Sequence, residues 1–205
     1  MNALHGGSPA AWIFGVTLVV SLVALFLRPQ WLERMVFRPY WFLRRREWAT
    51  PLTSALTHAD LGHLVFNLLT YWFFAFQLER RIGAAAFAAL YAFALAVSTV
   101  GTWFKHRGEP QYATLGASGA ILGVLFASIV YFPEQSLFII PIPIPIPAPL
   151  FALGYLAYTW YSSRQARGRI NHDAHLSGAL AGVAFVALTD PGALGAALAA
   201  FTSGR

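Results

Sequence analysis

The chain alternates long apolar runs with short polar connections, and six of the runs are near the length of about 17–25 residues with which a helix crosses a bilayer. The predicted spans are Ala11–Leu27, Leu61–Leu78, Ala84–Phe104, Leu115–Phe132, Ala148–Ser162 and Ala174–Leu188. No Lys or Arg precedes the first run and no small-residue cleavage site follows it. We therefore interpret that run as a retained span rather than a signal peptide. This pattern predicts an all-α membrane protein with a single domain over residues 1–205.

The composition agrees with a membrane protein. The chain is 58% hydrophobic and 11% charged, whereas soluble domains carry about 25% charged residues. The net charge of +6 would suit a nucleic acid. However, the arginines stand at the ends of apolar runs, where they reach lipid headgroups. We therefore expect the lipid bilayer, and not nucleic acid, as a partner. The absence of cysteine excludes disulfides, a thiolate nucleophile and a cysteine-based metal site.

Three segments outside the spans carry their own signals. Residues 28–60 mix arginine with tryptophan and tyrosine, a combination that favours the headgroup region, so this first loop should lie on the membrane. Prolines in Ile140–Pro149 exclude a helix interior there. We predict an extended, polyproline-like segment at the membrane surface over Pro141–Pro147, with Pro149 near the first turn of span five. Ala193–Phe201 is apolar but short, which predicts an interfacial tail.

Polar side chains cluster near the N-terminal ends of spans two, four and six. They are His63 and Asn67 in span two, Ser118 in span four and His175 in span six. Two crossings separate each of these spans from the next, so all three run in the same direction. The clusters should therefore lie on one side of the membrane at similar depth. Polar and ionisable groups inside spans are costly, which favours a functional role for them.

Ser118 and His175 together suggest nucleophilic catalysis. A free serine hydroxyl is a weak nucleophile and needs a base, and an imidazole is the natural candidate. Gly119 and Gly123, like Gly178 and Gly182, form small-x-x-x-small patterns that let helix backbones approach closely. Packing of spans four and six could thus bring hydroxyl and imidazole together. Ser118 alone is better explained by packing, and it is the pair on matching helix ends that favours chemistry.

His63 and Asn67 stand four residues apart, on one face of span two. Acyl transfer needs hydrogen-bond donors aimed at the oxygen that becomes negative, and both side chains can donate. Hydrogen bonding that holds the helices together is an equally good explanation of Asn67 alone.

His58, Asp60, His172 and Asp173 raise the alternative of a metal site, since His and carboxylate bind zinc. The chain has no His-Glu-x-x-His motif, and the separation of His58 from His63 does not align two ligands on one helix face. We therefore expect no metal and no cofactor. For both aspartates, solvation at loop ends or helix capping is the simpler interpretation.

Four ordered motifs together resemble the rhomboid family of intramembrane serine proteases. They are Thr57–Asn67, Glu79–Gly83, Gly116–Gly119 and Ala174–Gly178, the last followed by Gly182. The resemblance covers about residues 48–188. It implies a six-transmembrane-helix, rhomboid-like bundle with a membrane-lying first loop.

The resemblance also implies roles for individual residues. Ser118 would be the nucleophile and His175 the general base. The oxyanion hole would consist of His63, Asn67 and the Ser118 backbone N–H. Gly116 would belong to the loop that lets span four start below the surface, and span five would be the mobile side wall through which a substrate helix enters.

Two features depart from the pattern that the resemblance implies. Many rhomboids carry a Trp-Arg pair in the first loop, where this chain reads Trp48-Ala49 with Arg44–Arg46 upstream. Eleven of the 14 Lys and Arg residues lie in connections on the side of the polar clusters, the other three being Arg80, Arg81 and Arg205. The positive-inside rule would turn that side to the cytoplasm. Bacterial rhomboids usually face the opposite way, and by this resemblance we expect the bacterial inner membrane with an outward-facing site.

We predict an endopeptidase that hydrolyses a bond within or beside the transmembrane helix of a membrane-protein substrate. One alternative is a catalytically inactive rhomboid-like scaffold that binds membrane proteins for quality control. Another is a small transporter or channel that uses His63 and His175 as proton relays. The transporter should survive Ser118→Ala, whereas the protease should not.

Overall fold

The computed structural model describes residues 7–139, 142–165 and 171–203, and most of them are helical. The helices are α1 (Pro9–Leu22), α2 (Gln30–Met35), α3 (Pro39–Arg44), α4 (Thr50–Thr53), α5 (Leu61–Ile82), α6 (Ala84–His106), α7 (Ser118–Tyr131), α8 (Ala148–Gln165), α9 (His172–Thr189) and α10 (Pro191–Ser203). A π-helical turn (Val23–Leu27) extends α1, a 3-10 turn (Ser54–Leu56) follows α4, and strands β1 (Ser136–Ile139) and β2 (Ile142–Pro147) connect α7 to α8. Pro141, Arg167, Arg169 and Arg205 lie outside the described residues.

Six helices follow the six predicted spans. Of the described residues, Pro9–Leu27, Leu61–Ile82 and Ala84–His106 form helices long and apolar enough to cross a membrane, and α9 with α10 forms a fourth if this pair, bent by 116°, is counted as one span. Helix α7 has only 14 residues and is buried from Gly119 to Val130. The predicted all-α membrane bundle is confirmed, with α7 as its central helix.

Helix α7 begins at Ser118, three residues later than the pattern of apolar residues predicts. Gly116 has a φ of 114°, a conformation that favours glycine and ends the preceding extended segment. Its N–H donates to the carbonyl of Ser54, 2.9 Å away, and Thr114 pairs with Phe37 through their backbones. The first loop therefore holds the segment before α7 and fixes where this helix starts.

Glycines bring α7 and α9 into backbone contact. A Cβ placed on Gly178 would overlap the carbonyl of Gly119, and one on Gly182 would overlap the carbonyl of Gly123. Both small-residue patterns thus meet each other, as their spacing predicts. This contact sets the first turns of α7 and α9 side by side.

The first loop is folded into short helices. At the end of α3, the guanidinium groups of Arg44 and of the next residue, Arg45, lie 3.9 Å from the ring centroids of Tyr40 and Trp41. The Trp41 indole N–H donates to the carbonyl of Pro110, 3.1 Å away, which ties this loop to the segment before α7. Such paired basic and aromatic side chains are typical of the headgroup region.

The prediction of a polyproline-like segment after α7 is wrong. Strand β2 is extended as expected, but it pairs with β1 in an antiparallel sheet, with Leu137 opposite Ile146 and Phe138 opposite Pro145. Proline fits because its φ lies close to the β region, and the alternating isoleucines keep the N–H groups that a ladder needs. The spacing of the prolines does not indicate that a second strand pairs with this segment.

The predicted tail is a helix that packs on the bundle. Helix α10 turns sharply after Asp190, whose carboxylate accepts from the Ala193 N–H at 3.1 Å and from the Tyr131 hydroxyl at 3.2 Å. Leu194 and Ala197 pack against the core cluster formed by α5, α6 and α7. One face of α10 is therefore packed against the helices.

Candidate active site

The hydroxyl of Ser118 lies 2.8 Å from Nε2 of His175. Ser118 is the first residue of α7, and His175 lies in the first turn of α9. The glycine contact between these helices therefore brings the two side chains into hydrogen-bond distance. A hydroxyl and an imidazole at this separation have the geometry of a nucleophile and its general base.

The other ring nitrogen of His175 also has a partner. Its Nδ1 lies 3.0 Å from the hydroxyl of Tyr155 on α8. The Tyr155 ring stacks on Phe151 at 5.5 Å between centroids and packs against Phe126 of α7. Tyr155 could not be identified from the sequence, because no spacing relates a hydroxyl in the fifth span to an imidazole in the sixth.

His63 and Asn67 face the same space as Ser118. All three residues line a cavity of about 860 Å³, together with Tyr155 and His175. The Asn67 amide donates to the carbonyl of His63 at 2.9 Å, which leaves its second N–H for another acceptor.

Gly116 forms part of the wall beside His63. A Cβ on Gly116 would lie 2.7 Å from the imidazole of His63. Only glycine therefore lets the backbone before Ser118 approach this ring. As the first residue of α7, Ser118 also has a backbone N–H without a carbonyl partner one turn earlier in its own helix.

The cavity has a polar rim that reaches beyond these residues. Asp60, Gln111, Tyr112 and Thr114 line it on the side of the helix N-termini. A cavity of this size with polar side chains in its wall can admit water, which hydrocarbon could not supply. Glycines 119, 178 and 182 lie behind it, at the contact between α7 and α9.

A family model described as Rhomboid domain matches residues 45–191. The chain belongs to the rhomboid family. YdcA of Bacillus subtilis, provisionally named a rhomboid protease, is 40% identical over 79 residues, which are 38% of this chain and 38% of that protein. Mitochondrial Rhomboid protein 1 of Saccharomyces cerevisiae is 31% identical over 139 residues, which are 64% of this chain and 39% of that protein.

A human relative matches over a similar length. The mitochondrial presenilin-associated rhomboid-like protein is 31% identical over 143 residues, which are 66% of this chain and 36% of that protein. The chain thus spans about two fifths of the length of these relatives. Family membership, together with the long apolar helices, makes this rhomboid a multi-pass membrane protein.

Two polar contacts fix the start of α9 in this rhomboid. Asn171 caps the helix by accepting from the Ala174 N–H at 3.0 Å, and its amide donates to Thr102 and Thr114. Asp173 accepts from Lys105 at 2.7 Å and lies 3.0 Å from Nε2 of His106. No pattern in the chain indicates the role of Asn171 before the fold is known. Both contacts precede His175 by one turn or less.

The two aspartates have different roles. Asp60 caps α5 by accepting from the His63 N–H at 2.8 Å, so the capping interpretation is confirmed. The same interpretation is wrong for Asp173, which pairs with Lys105 instead of capping α9.

Nδ1 of His58 contacts the Ser21 hydroxyl at 2.9 Å. Within the described ranges, no three His, Cys, Asp or Glu side chains are grouped as a metal site would require.

Proposed function

We propose that this protein is an intramembrane serine endopeptidase that cleaves transmembrane segments of membrane-protein substrates. The observation that carries the proposal is the 2.8 Å contact between the Ser118 hydroxyl and Nε2 of His175, at the wall of a cavity inside a membrane bundle that His63, Asn67 and Tyr155 also line. Family membership supports it, because the name of one relative, YdcA of Bacillus subtilis, includes a protease activity.

In the first half of the reaction, Nε2 of His175 takes the proton of the Ser118 hydroxyl while Oγ bonds to the carbonyl carbon of the scissile peptide. The carbonyl oxygen becomes an oxyanion. When the C–N bond breaks, the leaving amine takes the proton from Nε2, and an ester joins the substrate acyl group to Ser118. In the second half, water attacks the ester, its proton passes through Nε2 to Oγ, and the carboxylic product leaves.

Three donors would hold the oxyanion: the backbone N–H of Ser118, the Asn67 amide and the His63 imidazole. Two observations support this assignment. All three residues line one cavity, and the first N–H groups of a helix lack intrahelical acceptors and carry partial positive charge. Preorganised donors of this kind supply a large part of the catalysis of acyl transfer.

The test is labelling by a fluorophosphonate and cleavage of a model transmembrane substrate by purified protein in liposomes. Wild-type protein should react with the fluorophosphonate and cleave the substrate, whereas Ser118→Ala should do neither. The matched control is Ser128→Ala, which removes a buried hydroxyl from the same helix and should leave both signals unchanged. A wild type that is folded but inert in both assays would refute the protease. It would favour the alternative, an inactive rhomboid-like scaffold that binds membrane proteins.

We further propose that the protein resides in a bacterial inner membrane with the mouth of the cavity facing outward. The excess of basic residues on that side would argue the reverse by the positive-inside rule. However, many of these basic side chains contact aromatic or acidic side chains nearby. Arg44, Arg45 and Arg164 stack on Tyr40, Trp41 and Trp160, and Lys105 pairs with Asp173. Such contacts support a role as interfacial anchors.

A further inference from the structure

We propose that Tyr155 is a positioning residue that holds the His175 imidazole in the protonation state needed to activate Ser118. The proposal rests on the proposed protease function and adds a third member to the Ser118–His175 pair. It is carried by the two contacts of one imidazole, with Nε2 at 2.8 Å from the Ser118 hydroxyl and Nδ1 at 3.0 Å from the Tyr155 hydroxyl.

The role of His175 as a base requires one particular tautomer, whereas the two contacts alone fit either, because each hydroxyl can donate or accept. A neutral imidazole carries one proton, and the nitrogen without it is the acceptor. For Nε2 to accept from the Ser118 hydroxyl, the proton must be on Nδ1, and Nδ1–H then donates to the Tyr155 oxygen. With the proton on Nε2, the ring would donate to Ser118 and could not act as its base.

The same contact supports the charged form of the ring. Once Nε2 takes the serine proton, both ring nitrogens are donors, and the Tyr155 oxygen is the acceptor within reach of Nδ1. A charged donor that loses its acceptor inside the bundle costs about 1.5–3 kcal/mol, or about ten- to a hundred-fold in rate. An aspartate at this place would have a larger effect, because a phenol is a neutral acceptor.

The position of α8 controls this contact. Tyr155 is held by Phe151 of its own helix and by Phe126 of α7, and His175 is carried by α9. The hydroxyl reaches Nδ1 only while α8 lies against α7 and α9. Displacement of α8 by a few ångströms breaks the hydrogen bond. The tautomer of the His175 imidazole therefore depends on the position of α8.

Tyr155→Phe isolates the hydroxyl, because the ring and its packing remain. The matched control is Tyr158→Phe, which removes a hydroxyl from the same helix at a side chain that is 55% exposed and meets the His172 ring edge-on. Two quantities are measured in each variant. One is the split between kcat and KM for a transmembrane substrate, and the other is the tautomer of His175, read from ¹⁵N chemical shifts of the imidazole and assigned with His175→Gln.

We expect wild-type His175 to carry its proton on Nδ1. Tyr155→Phe should lower kcat about ten- to a hundred-fold with little change in KM, and should shift the ring toward protonation on Nε2. Tyr158→Phe should change neither quantity.

The tautomer separates this proposal from the protease function. A wild-type ring protonated on Nε2 overturns the proposal without any need for a variant. So does a Tyr155→Phe protein with an unchanged tautomer, whatever its rate. Wild type could prove inert while its His175 ring carries the proton on Nδ1 and the proton shifts to Nε2 in Tyr155→Phe. In that case the positioning role stands and the protease function is refuted.

Discussion

Gly178 of α9 lies against the backbone carbonyl of Gly119 of α7, with no room between them for a methyl group. The contact is one residue from Ser118 and three from His175. The packing of the bundle and the distance between hydroxyl and imidazole therefore depend on the same pair of glycines.

Gly178→Ala should separate α7 from α9, because the added methyl meets backbone, which cannot change rotamer. We expect a loss of about 1–3 kcal/mol in stability, or more, and a fall in fluorophosphonate labelling beyond what unfolding explains. Thermal unfolding in detergent and labelling at a temperature where the variant is folded measure the two effects. Gly15→Ala in α1, which has no neighbour within 4 Å of the added atom, is the control. Equal behaviour of both variants would contradict the prediction.

Gly116→Ala should impair labelling more than stability. Its φ of 114° is unfavourable for alanine, which costs about 1–3 kcal/mol, and the new methyl would push the His63 imidazole out of the cavity wall. Gly83→Ala has a similar backbone penalty at φ 85° but meets no neighbour within 4 Å. The two variants should lose similar stability, while only Gly116→Ala should label slowly. If Gly83→Ala also labelled slowly, backbone strain alone would explain the slow labelling of Gly116→Ala.

The architecture was predictable from sequence because its signals are local. The length of each apolar run gives a span, and counting crossings puts Ser118, His175 and Asn67 on one side. Spacing within one helix, as in Gly178 and Gly182, indicates which face packs closely. None of these inferences depends on how a helix is rotated relative to its neighbours.

The remaining features depend on contacts between distant segments. Tyr155 meets His175 only because α8 presents that face to α9, which no pattern within residues 148–165 encodes. Strand β2 has the pattern of isolated polyproline, and its partner β1 is a short segment of one serine and three apolar residues, which carries no distinctive pattern. Asp173 has the position of a helix cap, yet its carboxylate pairs with Lys105 at the end of α6.

Asn67→Ala should slow cleavage by about 10²–10³ without ending it, the usual cost of one oxyanion donor. The effect should fall on kcat, because the oxyanion exists only after attack by Ser118. Gln77→Ala is the matched control, since it removes an amide from the same helix about three turns farther along. Steady-state cleavage in liposomes measures both variants. A rise in KM alone would instead make Asn67 a substrate-binding residue.

The orientation can be tested because the chain has no cysteine. Gln111→Cys introduces a thiol beside the cavity mouth, and Glu134→Cys introduces one beyond the other end of α7. Both positions are exposed. In intact bacterial cells, a membrane-impermeant maleimide should label the first variant, and the second only after permeabilisation. The reverse pattern would show that the positive-inside rule holds and that the site faces the cytoplasm.

Asp173→Asn should loosen the start of α9. The carboxylate is largely buried, with 17% of its side chain exposed, and it holds Lys105 and His106 of α6 together. Its neutralisation leaves Lys105 without a counter-charge, so we expect a loss of about 1–2 kcal/mol in stability. Because His175 is half a turn farther along α9, the rate of fluorophosphonate labelling should fall as well. Glu109→Gln is the control: that side chain is 55% exposed and, among the described residues, pairs with His106, and its loss should cost about 0.5 kcal/mol or less. If Asp173→Asn unfolded at the same temperature as Glu109→Gln, the pair with Lys105 would contribute nothing, and the Asn171 cap would be what fixes His175 beside Ser118.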